Sequence, residues 1–153
     1  ALLGGNKNIA ILEVMELRKI LEGEVALIAA SRATPEDLEA IREAYRKMKE
    51  DIAYGRDTAV SDFEFHFSIA RATHNGTITA VLKDLNEIFY EVVRTNRWHH
   101  SKPHDYEQVL AEHYAVIRAI EKKQGPLAKK HMDAHLDTAH RRVEEVIMNR
   151  ERP

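Results

Sequence analysis

The chain has no cysteine. That single absence removes disulfides, thiolate zinc sites and cysteine nucleophiles together, and it fits a reducing compartment. Glycine and proline are scarce, six and four in 153 residues, so few positions can break a regular element. Aromatic residues make up only 7%. No apolar run approaches the roughly 20 residues of a membrane span, and no signal-peptide pattern opens the chain. Nor is there an excess of positive charge. The formal balance of -2 gives no overall basic surface for phosphate backbones, which argues against direct nucleic-acid contact by this piece.

What is present is the mixture of an ordinary globule, 44% apolar and 31% charged residues, in a length suited to one domain. The hydrophobic period is helical nearly throughout. A first helix is expected from about Ile9 to Ser31, with Ile11, Val14, Leu21, Val25 and Ile28 on its stripe. Thr34-Pro35-Glu36-Asp37 starts a second, Thr34 serving as N-cap and Asp37 completing a capping box, and Gly55 ends it. A third spans about Thr58 to Thr73. His74-Asn75-Gly76 is a stop and restart before a fourth that reaches about Arg97. A loop follows to Pro103, a fifth helix runs to about Lys123, and Gly125-Pro126 separates it from a sixth ending near Asn149. No alternating strand pattern of useful length interrupts them. The expected fold is an all-α antiparallel bundle of six to seven helices.

Against that background four polar residues stand where a helix should show only its apolar side. Asp62 and His66 are four residues apart, hence one turn apart on one face, within the stripe Ala59, Asp62, Phe63, His66, Ile69, Ala70. His113 lies between Val109, Leu110, Val116 and Ile117 on the fifth helix. His135 lies between Met132, Leu136 and Ala139 on the sixth. A single interior histidine is ordinarily a hydrogen-bonded core residue, and Asp62 with His66 could be a plain intrahelical pair. Three helices repeating the exception point to a divalent metal in the bundle interior, because a shared cation offsets the burial of a carboxylate. His131 competes with His135 for the same role from the edge of its stripe, and His140 is marginal. His74, His99, His100 and His104 fall in or beside loops and are read as solvated. Arg18, inward between Val14, Leu21 and Val25, is either a salt-bridged arginine or a fork for a carboxylate ligand. Glu64 and Glu112 are read as pointing off their stripes, so no further acid faces inward to act as a general base.

The runs Leu17-R-K-I-L-E-G-E-V-Ala26, Asp62-F-E-F-H-F-S-I-A-R-A-T-H-Asn75, Glu112-H-Y-A-V-I-R-A-Ile120 and Ala128-K-K-H-M-D-A-H-Leu136, in that order, resemble the C-terminal effector-binding domain of FadR-like (FCD) GntR-family transcription regulators. The resemblance covers about Ile9 to Val146. It implies a metal held by Asp62, His66, His113 and His135, with Zn first among Zn, Ni, Mn and Fe, and a small carboxylate effector at Arg18, with Asn86 as a further pocket residue. It also implies a cytoplasmic homodimeric regulator that is not an enzyme. DNA would be contacted by an N-terminal winged helix-turn-helix that this chain does not supply. Two other readings keep the same ligands, a metal-dependent bundle enzyme and a structural metal in a dimerisation module.

Overall fold

A computed structural model describes the backbone of residues 7–95 and 103–150 and the side chains of 10–91 and 105–149. It contains α1 (Lys7–Arg32), α2 (Pro35–Ala53), α3 (Ala59–Arg71), α4 (Gly76–Thr95), α5 (Pro103–Glu121) and α6 (Gly125–Arg150). Among the described residues every regular element is a helix, and no helix is long and apolar enough to cross a membrane.

Local chemistry sets the boundaries. The Thr34 hydroxyl accepts the Asp37 amide at 3.2 Å, and the Asp37 carboxylate accepts the Thr34 amide at 2.9 Å, which closes the capping box ahead of Pro35. Past the end of α2 the chain turns at Gly55, whose φ of +63° is open to glycine without a steric penalty. His74 also has a positive φ, 52°, and its ring Nε2 lies 2.6 Å from Asp37 Oδ2. Although exposed, His74 is therefore tied to the α2 cap. The expected loop before the fifth helix lies largely outside the described residues, as do His99 and His100. Pro103 opens α5 rather than preceding it, so the His104 backbone is helical.

α1 is the central element, packed against α3, α4, α5 and α6. It meets α6 closely. A Cβ at Gly23 would overlap the Asp133 carboxylate, and one at Gly125 would stand 3.2 Å from the Leu27 carbonyl oxygen. A larger core runs through all six helices, from Ala26, Ile41 and Phe65 to Leu82, Ile117 and Leu136. A smaller cluster of Ile11, Val14, Met15, Leu85, Phe89 and Ile147 closes the other end.

One stripe differs from expectation. On α3 it is Phe65 that is fully buried, while Phe63 is half-buried beside α4. The helix packs against α1, α2 and α4. Its buried arc is consequently wider than one stripe and takes in Ser61, Phe65 and Ser68.

Candidate metal centre and ligand cavity

α3, α5 and α6 aim their four exceptional residues at one point. One donor atom from each of Asp62, His66, His113 and His135 lies within 4.8 Å of the other three. His113 Nε2 and His135 Nε2 are 3.1 Å apart. Asp62 Oδ1 lies 3.5 Å from His113 Nε2 and 3.8 Å from His66 Nε2. Donors with bonds of about 2.0–2.1 Å stand roughly 3 Å apart at adjacent corners of an octahedron and roughly 3.3 Å apart in a tetrahedron, so these separations are compatible with either geometry. His131 and His140, the two sequence competitors, are outside the cluster.

Protonation follows from the partners. A carboxylate only accepts, so His66 Nδ1, 2.5 Å from Glu22 Oε2, carries the ring proton and leaves the Nε2 lone pair facing the cluster. His135 Nδ1 does the same toward Glu112 Oε2 at 2.9 Å. His66 Nε2 is buried without a hydrogen-bond partner, and so is His113 Nδ1. The His113 ring stacks on Phe65, centroids 4.1 Å apart. Burial holds His113 well below the ordinary imidazole value, and the neighbouring His135, His66 and Arg18 add to the effect. Burial likewise lowers His135, against the opposing pull of Glu112. Both rings are therefore neutral near pH 7, the form that ligates. Neutral inward-facing nitrogens, one carboxylate and the buried, unpartnered His66 Nε2 fit a divalent cation.

Behind the cluster stands a residue the sequence reading missed. Glu22 on α1 is 2% exposed and accepts from Arg18 Nε at 2.6 Å while receiving the His66 proton. Burial alone would raise its pKa, but the Arg18 charge and His66 outweigh it and hold Glu22 far below the usual carboxylate range. The signal was legible. Arg18 and Glu22 are one turn apart, and an inward arginine in a core calls for an inward acid at that spacing. Glu112 also needs correction, since it reaches back from the edge of α5 to His135. These acids serve as hydrogen-bond acceptors that fix the tautomer of a candidate ligand histidine.

Arg18 is itself 2% exposed, lies 4.3 Å above the Phe89 ring centroid, and keeps its NH2 group unpartnered. It lines a cavity of about 150 Å³ together with Asp62, His135, Tyr90, Tyr106 and Arg142. Arg142, also unforeseen, lines the same space; its guanidinium donates to Gln108 Oε1 at 2.9 Å and lies 3.9 Å from Asp105 Oδ1. Tyr90 on α4 donates its hydroxyl to Asp62 Oδ2. Burial first, and then the Asp62 charge, keep that phenol protonated far above neutral pH. Asn86 is fully buried and donates to the Leu82 carbonyl at 2.8 Å, with Oδ1 unpartnered; it is not among the residues that line the cavity.

The chain has relatives in sequence and in fold. The regulator LutR of Bacillus subtilis is 31% identical over 137 residues, covering 88% of this chain and 61% of the relative. The Uxu operon regulator of Haemophilus influenzae is 26% identical, covering 82% of this chain and 48% of the relative. This chain therefore spans about half to three fifths of the length of these relatives. A Streptococcus agalactiae GntR structure superimposes with a TM-score of 0.77 at 21% identity, covering 91% of this chain and 62% of that one, a likeness of fold. The relatives are named as transcription regulators rather than enzymes, so catalysis by this bundle finds no support among them. Residues 13–138 match the FCD domain, which is most of the chain, and the protein belongs to that family of regulator domains.

Proposed function

We propose that this domain senses a small carboxylate through a divalent metal bound by Asp62, His66, His113 and His135. The observation that carries the reading is the convergence of four donors from three helices beside a cavity that Arg18 and Arg142 also line. A metal with four protein donors keeps room for further ligands when it is five- or six-coordinate. For the remaining acid oxygen the adjoining Arg18 supplies a buried guanidinium whose Nη2 is unpartnered. Low dielectric strengthens both attractions. The cavity is smaller than the roughly 300 Å³ at which drug-sized sites begin, which favours an acid of a few carbons. Zn leads among the candidate metals, with Ni, Mn and Fe behind it.

The same reading makes DNA contact the work of a separate N-terminal domain, consistent with the shares of the relatives covered, and makes the active unit a homodimer. Occupancy of the cavity then changes how two such domains present their DNA-binding partners.

Calorimetric titration of acetate, lactate and succinate into metal-loaded, metal-free and Arg18→Lys protein tests the reading. Saturable binding that needs the metal and weakens by about 1–3 kcal/mol on Arg18→Lys, the scale of a charge-assisted hydrogen bond, is the expected result. Equal heats across the three proteins would remove the proposal. Sedimentation at micromolar concentration tests the dimer, and a mass of one chain counts against it.

A further inference from the structure

Asp62 is the one candidate metal ligand that is not a histidine, and its two oxygens face different partners. Oδ1 looks toward the His113 and His66 nitrogens. Oδ2 accepts the hydroxyl of Tyr90. The distinction matters because a carboxylate can bind a cation through one oxygen or two. Rotation about the terminal torsion of aspartate is soft, so the backbone of α3 does not decide between the two modes. The Tyr90 hydroxyl does bear on it.

Tyr90 is itself held in place. Its ring meets Phe63 and Phe89 edge-on, with centroids 5.7 and 5.0 Å away, and Phe89 in turn carries the Arg18 guanidinium on its face. The same side chain lines both the inner cavity and an outer apolar groove formed with Ala59, Val60, Phe63 and Ile88. Tyr90 thus stands between solvent-facing space and the Arg18 side of the cavity, with its one polar atom committed to Asp62.

We infer that Tyr90 is a positioning residue that confines Asp62 to one ligating oxygen and so keeps a place on the metal open for the effector. This rests on the metal and carboxylate reading above. With Oδ2 engaged by the phenol, only Oδ1 is left for the cation. Without the phenol, Oδ2 can swing onto the metal and occupy the place an incoming acid would use. Tyr90 then governs ligand access while contributing no ligand atom.

Tyr90→Phe removes one hydroxyl and keeps the ring contacts. The probes are Mn²⁺, whose bound water is read from the relaxation of bulk water protons, and acetate, titrated into the Mn²⁺-loaded protein. A six-coordinate ion with four protein donors has two water positions. The variant should lose about half of the inner-sphere relaxation enhancement and bind acetate at least tenfold more weakly, with Mn²⁺ affinity unchanged or tighter. Tyr90→His, which retains a ring with a donor, should stay nearer to wild type and also serves should the phenylalanine variant fold poorly. A merely structural hydroxyl would lower the melting temperature and leave relaxation and acetate affinity as they were; that result overturns the inference. Wild-type protein that binds neither Mn²⁺ nor acetate overturns the underlying metal reading as well. Wild-type protein that binds both, with variants identical to it, removes only the role of Tyr90.

Discussion

Replacing Glu22 by Gln tests the polar interior most directly, because the change keeps the shape and removes one charge. Glu22 is bonded on one side to Arg18 at 2.6 Å and on the other to His66 at 2.5 Å, all three side chains being buried. Neutralising it leaves the Arg18 guanidinium as an uncompensated charge in the core, and removing one partner of a buried pair costs about 3–5 kcal/mol. In a domain of this size each kcal/mol shifts the melting temperature by roughly 2–4 °C. The metal-free variant should melt at least 6 °C below wild type by circular dichroism. Its effect on the metal has a separate cause. A glutamine still meets the His66 ring but no longer polarises it as a carboxylate does, and loss of such an outer partner typically lowers metal affinity about 10–100-fold. Competition with a chromophoric chelator measures this. Glu24→Gln is the control: its bond to Lys129 at 3.1 Å joins an exposed carboxylate to a half-buried lysine at the surface, and such surface pairs contribute about 1 kcal/mol or less. Equal melting temperatures and equal metal affinities for Glu22→Gln and Glu24→Gln would refute the coupling of α1 to the metal site.

Other outcomes follow from the same geometry. His113→Ala and His135→Ala should each lose most metal affinity by the same chelator assay, whereas His131→Ala and His140→Ala should retain it. Metal present at 100 times its Kd should stabilise wild type by about 2.7 kcal/mol in denaturant unfolding, provided the unfolded chain does not bind it. Because burial depresses His113 and His135, the metal-free folded state binds fewer protons than the unfolded chain once pH drops below about 6.5. That part of its stability is present above the unfolded value and is lost as pH falls through the interval down to the folded one. Urea midpoints measured from pH 7 to 5 should therefore decline more steeply in wild type than in His113→Gln. Gly23→Ala should destabilise by crowding Asp133 between α1 and α6, and adding Asp133→Ala should turn the change into a gain of about 0.5–1 kcal/mol from helix propensity. A Gly23→Ala protein as stable as wild type would mean that the Asp133 carboxylate simply rotates away.

Local rules made much of this domain legible. Period, caps and turn residues placed six helices near their observed ends, because Thr34, Gly55 and Asn75-Gly76 act on backbone groups within a few residues. The four candidate ligands were legible for a related reason. A polar side chain in the middle of an apolar stripe violates the pattern of its own helix, and no knowledge of neighbours is needed to notice it. What the stripe could not give was the company each residue keeps. Phe65 rather than Phe63 enters the core because α3 is enclosed on several sides, and the number of flanking helices is not written in one helix's period. Glu112 and Tyr90 look unremarkable along the chain, and Glu22 shows only its one-turn spacing from Arg18. Glu22 becomes a partner of His66 only when α1 and α3 pack, Glu112 a partner of His135 only when α5 and α6 do, and Tyr90 a partner of Asp62 only across α3 and α4. Arg142 gains its place in the cavity in the same way. The sequence by itself determined where the helices run and which residues could ligate, since propensity and periodicity are local. The tertiary structure decided which nitrogens face inward, which acids hold them there and where a cavity remains, because those depend on distances between helices far apart in the chain.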